Sequence, residues 1–218
     1  MAPDPCPRAP GAGFDPLPEA LPGGTLLFRI HSPGFAVISF NTWTNPSAKP
    51  TRFAPFSGSS GTPVPTLYAA PTFAVALAES LFHDLPRDLH EITLPASRLD
   101  ELAVSRIRTR RDLVLAAFHG SSLRRLRTDW QRLIGSLPTC YPRTQAWAEA
   151  THRHTRKFDG LLWYSRQKED HSCVVLFQDR VAPGDLDAVE DRAPLAAPPY
   201  RDLVDQECEA ANITLVVA

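Results

Sequence analysis

Apolar positions along the chain fall into short runs divided by proline- and glycine-rich stretches, and the runs show two different periods. Residues 25–30 and 66–69 read as strands, and 36–40 as a further one. Residues 89–94 alternate and read as another. Residues 160–165 and 173–177 read as two core strands joined by the charged turn 166–171, and 213–217 as a last strand. Between them lie two helical patterns. Pro71 opens the first, at a position where a missing N–H costs nothing, and the pattern runs to residue 83. Its faces are apolar nearly all round, with Phe73, Val75, Leu77, Leu81 and Phe82, so it reads as a buried helix. Residues 144–156 read as a surface helix carrying Trp147. Strands mixed with helices, without a regular β–α alternation, predict an α+β fold with a mixed sheet core and flanking helices.

Three segments follow from the same pattern. Residues 1–24 are rich in Pro, Gly and Ala and read as a loose lead-in. Residues 25–180 carry the strands and helices of one catalytic-sized domain. Residues 181–218 are acidic and contain prolines, and read as a segment wrapping that domain. The long loop 41–65 marks a functional or disordered stretch inside the domain.

Composition narrows the function classes. The 218 residues are 43 % hydrophobic and 22 % charged, enough to bury a real core. The net charge of −1 disfavours a dedicated nucleic-acid binder. Nine Arg and four acids crowd residues 98–132, but no aromatic stacking pattern accompanies them. They read as a solvated face or a docking surface, with no direct nucleic-acid partner. No apolar run approaches the roughly 18 residues of a membrane span, so no membrane partner is expected. The start of the chain lacks the pattern of a secretory signal. Cys6, Cys140, Cys173 and Cys208 are far apart and without metal-type spacing, which reads as a reduced, cytoplasmic enzyme. His152 and His154 face different directions on a helix and read as solvated, so no metal is expected. The dinucleotide, P-loop, zinc-protease and nucleophile-elbow motifs are all missing from the sequence.

Glu79 is the informative residue, being the one formal charge in the apolar helix. A buried carboxylate must be paired or useful. Pairing with one of the many arginines, or escape to solvent at the helix edge, accounts for it in structural terms. Three other polar residues at the ends of apolar elements suggest a cleft instead. Arg29 sits in the first strand, Tyr68 ends the strand before the helix, and Ser165 ends a later one.

These residues carry a resemblance. The stretches are 27–30 (Leu-Phe-Arg-Ile), 51–53 (Thr-Arg-Phe), 67–79 (Leu-Tyr-Ala-Ala-Pro-Thr-Phe-Ala-Val-Ala-Leu-Ala-Glu), and 159–165 (Asp-Gly-Leu-Leu-Trp-Tyr-Ser) with 174–177. Together they resemble a RES domain, the toxin half of RES–Xre toxin–antitoxin pairs, over residues 24–180. The most specific match places Glu79 eleven residues after Tyr68 across a strand, a proline and a helix. One departure is clear: the family's Gly-Arg-aromatic-Asn reads Thr51, Arg52, Phe53, Ala54 here, which makes Arg52 a weaker candidate than Arg29. The resemblance implies an ADP-ribosyltransferase-like fold and an enzyme that consumes NAD as substrate, passing ADP-ribose to phosphate, water or a target protein. It implies catalytic roles for Glu79, Arg29 and Ser165, and NAD contacts from Arg29, Tyr68, Arg52 and Ser165. Its implied partner is an Xre-type helix-turn-helix antitoxin. The alternative is a non-catalytic binding or regulatory module that keeps the fold.

Overall fold

The computed structural model describes residues 4–83, 85, 91–168 and 171–217. The apolar runs become strands β1 (Pro18–Leu21), β2 (Leu26–His31), β3 (Thr66–Ala69), β4 (Ile92–Pro95), β5 (Ala103–Thr109), β6 (Leu113–Phe118), β7 (Gly160–Tyr164), β8 (Ser172–Phe177), β9 (Leu186–Pro194) and β10 (Ile213–Val216). The helices are α1 (Phe73–Ser80), α2 (Gly120–Arg125), α3 (Trp130–Leu133), α4 (Tyr141–Arg153) and α5 (Tyr200–Ala210). Of the alternating stretch 89–94, residues 89 and 90 lie outside the described residues.

A five-stranded sheet runs in the order β1-β6-β7-β8-β3. Its β6–β7 pair is parallel and the others antiparallel, so the sheet is mixed and the fold is α+β. A second, antiparallel sheet is β2-β5-β9, and β4 pairs with β10 in parallel. The two larger sheets touch at one bridge, where Phe28 and Ala70 exchange backbone hydrogen bonds of 2.7 and 2.9 Å.

β7 is buried through Trp163 because both its faces are covered, as its continuous apolar run requires. Leu161 and Trp163 join Phe53, Phe118 and Trp147 on one face; Leu162 joins Leu27, Leu67 and Leu176 on the other. A third cluster joins Phe73, Leu77 and Leu81 of α1 to Tyr200 and Val204 of α5. Helix α1 borders two of these clusters, since Val75 and Ala76 face the first. That explains its apolar circumference. Gly160 opens β7 where a Cβ would lie 2.0 Å from the Val175 carbonyl oxygen, so only glycine fits. Just before it, Asp159 accepts from the Val114 amide and pairs with Arg111, pinning the parallel strands in register.

Several readings need correction. The lead-in is not loose over its described residues: β1 completes the large sheet, Phe14 packs on Trp147, and Cys6 is disulfide-bonded to Cys140. The cysteines are therefore not all reduced; Cys173 and Cys208 are free and buried. A pairing 134 residues apart leaves no spacing signal. Residues 36–40 form turns instead of a strand, because the Ala36 and Val37 carbonyls are taken by Arg29 and the Ala36 carbonyl also by Ser39. The acidic segment does more than wrap, since β9 is built into the β5 sheet. His152 is buried between Phe56 and Phe177 and bonds Asp179 at 2.9 Å, and His154 lies 3.6 Å from Asp15, so neither is simply solvated.

Candidate active site

Helix α1 starts where Thr72 caps it, its Oγ1 accepting from the Val75 amide at 3.3 Å. Glu79 lies in the last turn, the end at which the helix dipole disfavours an acid. Something outside the helix must hold the carboxylate, and it is the chain leaving β7. Ser165 Oγ donates to Glu79 Oε1 at 2.7 Å, and the Arg166 amide donates to the same oxygen at 3.1 Å. Among the described residues no donor bonds Glu79 Oε2. The side chain is half-buried, with one oxygen anchored and the other open.

Ser165 is fully buried. Its single proton goes to Glu79, and its oxygen accepts from the Gln167 and Lys168 amides at 3.1 and 3.2 Å. A hydroxyl offers one donor and two acceptor sites, so this one is saturated. It has nothing left for a ribose or amide of a ligand. Ser165 is therefore a positioning residue for Glu79. The loop it begins is tied to the far end of α1 by Gln167 Nε2, which donates to the Phe82 carbonyl at 2.8 Å.

Tyr68 faces the cluster that holds Trp163 and Phe53, with its ring edge-on to Trp163 at 5.9 Å. Its hydroxyl meets Thr51 Oγ1 at 2.8 Å and accepts from the Phe53 amide at 3.3 Å. Burial pushes the phenol well above its ordinary range, so it stays neutral. Arg52 is buried, donating to the Ser136 carbonyl and hydroxyl at 3.1 Å and lying over the Tyr141 ring at 5.4 Å. Burial lowers its pKa, opposed by the nearby Glu79 carboxylate. No carboxylate pairs with it among the described residues.

The turn carrying Arg52, which lacks the family's glycine and asparagine, is held by side chains of α4. The Thr51 and Ala54 carbonyls both accept from Gln145 Nε2 at 3.0 Å, and Thr144 Oγ1 donates to the Arg52 carbonyl. Helix α4 thus holds the loop. Thr51, Trp163, Gln145 and Arg166 were absent from the sequence reading of the site. Thr51 and Trp163 lay in the stretches that carry the resemblance and Arg166 directly follows Ser165, whereas Gln145 carried no signal.

Arg29 is not brought to Glu79. On β2 it shares a face with Leu27 and His31, while Phe28 and Ile30 face the Tyr68 side. Its Nη1 donates to the Ala36 and Val37 carbonyls at 3.1 and 2.9 Å. Burial alone moves its pKa, down to about 10, and no acid compensates. Two buried guanidiniums, Arg29 and Arg52, thus form no ion pair among the described residues. Also among the described residues, no group of three His, Cys, Asp or Glu could hold a metal ion, and no helix is long and apolar enough to cross a membrane.

A carboxylate anchored at the end of a mixed sheet, with the buried Arg52 guanidinium within reach of its charge, defines an α+β domain with an acid-centred site. The family model for the RES domain matches residues 26–199, most of the chain, and the chain belongs to that family. The match takes in β9, beyond the limit of residue 180 read from the sequence. No curated protein matches the chain. Family membership supports a toxin–antitoxin-associated, NAD-related function at the family level.

Proposed function

We propose that this protein is the toxin of a toxin–antitoxin pair and an enzyme that cleaves the nicotinamide–ribose bond of NAD, passing ADP-ribose to phosphate, water or a protein side chain. The observation that carries the reading is Glu79, fixed through Oε1 by Ser165 and Arg166, with no donor on Oε2 among the described residues. As the C–N bond breaks, its electron pair leaves with nicotinamide and the ribose carbon becomes cationic. A preorganised carboxylate stabilises that charge more than it stabilises the intact substrate. The acceptor's lone pair then closes on the same carbon. Tyr68 supplies an aromatic edge for the nicotinamide ring. Arg52 is a buried cation without an ion pair among the described residues, and the negative charge of a pyrophosphate would supply one. An Xre-type helix-turn-helix antitoxin would silence the enzyme by covering this site in the cytoplasm, where NAD is abundant.

Loss of NAD in the presence of purified protein tests the reading. Glu79→Gln keeps the shape and removes the charge, and should lower turnover by about 10²-fold or more. The same variant should be harmless when expressed without the antitoxin, at a level where wild type arrests growth. Wild-type protein that leaves NAD intact, with or without added phosphate or cell extract, removes the enzymatic reading and leaves the non-catalytic module. That alternative is favoured by Thr51 and Ala54 in place of the family's glycine and asparagine; the clamp from Gln145, which preserves the turn, weighs against it.

A further inference from the structure

A cleft of about 820 Å³ lies between the N-terminal segment and the α2–α3 turn, and none of the residues of the Glu79 group line it. Its size falls in the range of small-molecule sites, roughly 300–1,000 Å³. Four arginines line it: Arg8, Arg125, Arg127 and Arg132. Arg125 bonds Asp15 and Arg132 pairs with Asp129, but Arg8 and Arg127 have no acidic partner among the described residues. The one acid in the lining, Asp4, is engaged by Arg143.

Both walls are built. The N-terminal wall is held by the Cys6–Cys140 disulfide, by Trp147 Nε1 donating to the Arg8 carbonyl at 2.9 Å, and by Phe14 edge-on to Trp147 at 5.8 Å. On the opposite wall Arg127 has φ of 56°, a left-handed conformation that glycine adopts far more readily. Thr128 beside it has its Oγ1 shielded from water and without a hydrogen-bond partner.

We propose that this cleft binds a nucleotide, its phosphates held by Arg8 and Arg127 and its base set against Phe14. Guanidinium forks match phosphate oxygens in pairs, and two of them here are uncommitted. A half-buried aromatic ring inside the same enclosed volume suits a planar base more than an extended acidic peptide. The proposal is independent of NAD cleavage at Glu79.

Calorimetric titration of the oxidised protein with ADP, pyrophosphate and a poly-glutamate peptide tests it. In the Arg52→Ala protein, where the site around Glu79 is weakened, ADP is expected to bind with one-to-one stoichiometry and at least tenfold more tightly than pyrophosphate. The double variant Arg8→Ala/Arg127→Ala should lose at least tenfold in ADP affinity while keeping wild-type NAD turnover. Arg52→Ala should keep ADP binding, which separates this cleft from the site around Glu79. No saturable ADP binding, ADP binding unchanged in the double variant, or poly-glutamate binding tighter than ADP would each overturn the assignment.

Discussion

Replacing Ser165 by Ala removes one hydroxyl from a fully buried position, and the structure sets the size of the consequence. The hydroxyl's bond to the Glu79 carboxylate involves a charged group and contributes about 1.5–3 kcal/mol net. Two amides also lose their acceptor, but Gln167 and Lys168 are half-buried and water can replace it at about 0.5 kcal/mol each. The expected loss of stability is about 2–4 kcal/mol, or roughly 5–15 °C in Tm for a chain of this size. Glu79 keeps only the 3.1 Å bond from the Arg166 amide and gains rotamer freedom. We expect kcat for NAD cleavage to fall about 10–10²-fold with KM nearly unchanged, because the carboxylate acts on charge that develops in the transition state. Urea unfolding and steady-state NAD loss measure the two effects separately. The decisive test is a double-mutant cycle. If Ser165 acts only through Glu79, adding Ser165→Ala to Glu79→Gln costs no further activity. Additive losses would mean that Ser165 meets the substrate itself. A Ser165→Ala protein with wild-type kcat and a stability change under about 0.5 kcal/mol would refute the anchoring argument.

Arg52→Ala should raise KM for NAD about tenfold or more with a smaller change in kcat, since a pyrophosphate contact exists in ground and transition states alike; an unchanged KM excludes Arg52 from binding. Reducing the Cys6–Cys140 bond, or Cys6→Ser, should lower stability by about 2–4 kcal/mol, less than the ~5 kcal/mol that chain entropy gives for a 134-residue separation, because Asp4–Arg143 and Phe14 still tie the segment. Equal melting of the oxidised and reduced protein would show that those ties suffice. Burial, reinforced by the Arg29 cation, holds His31 down at about 4 against an ordinary 6.5. Its neutral form thus contributes stability that is fully present above pH 6.5. That contribution is lost as pH falls toward 4, where the unfolded chain takes up a proton that the native one refuses. The loss is on the order of 2 kcal/mol, reduced for partial solvent screening. His31→Asn should flatten the urea midpoint between pH 7 and 5, and an unchanged slope would assign the acid sensitivity elsewhere.

Local pattern and long-range pairing divide what the sequence reveals. The runs that became β3, β7 and β8 are short, apolar and bounded by turn residues, so composition alone marks them. Helix α1 is legible because its apolar circumference admits few environments, although Thr72 starts it later than Pro71 suggested. β1 was hidden by its prolines: Pro18 opens an edge strand, where a missing amide is tolerated, and its partner β6 lies about a hundred residues away. β9 was hidden by charge, since it carries Asp187, Glu190 and Asp191 while its pairing with β5 is made by backbone. The Cys6–Cys140 bond follows from that N-terminal course and from nothing local.

The site shows the same division at the scale of side chains. Glu79 stood out because a lone charge in an apolar helix conflicts with its surroundings, and such conflict survives without knowledge of the fold. Ser165 stood out by position, but its role depends on where one proton points, and only the fold supplies that. For the two arginines the order of sequence merit is reversed. Arg29 sits in an apolar strand and matches its family motif, yet alternation along β2 turns it away from the Tyr68 face. Arg52 lies in a loop that departs from the motif at both ends, yet it lies in the electrostatic neighbourhood of Glu79 and Tyr68. The turn itself is held by neighbouring side chains. A turn's shape can be enforced from outside by hydrogen bonds to its carbonyls, as Gln145 and Thr144 do from α4. Thr51 goes further and holds the Tyr68 hydroxyl, an interaction no glycine could make. A motif mismatch therefore weakens a functional assignment only where the mismatched residues themselves touch the ligand. Where they shape backbone, the contacts made to that backbone decide.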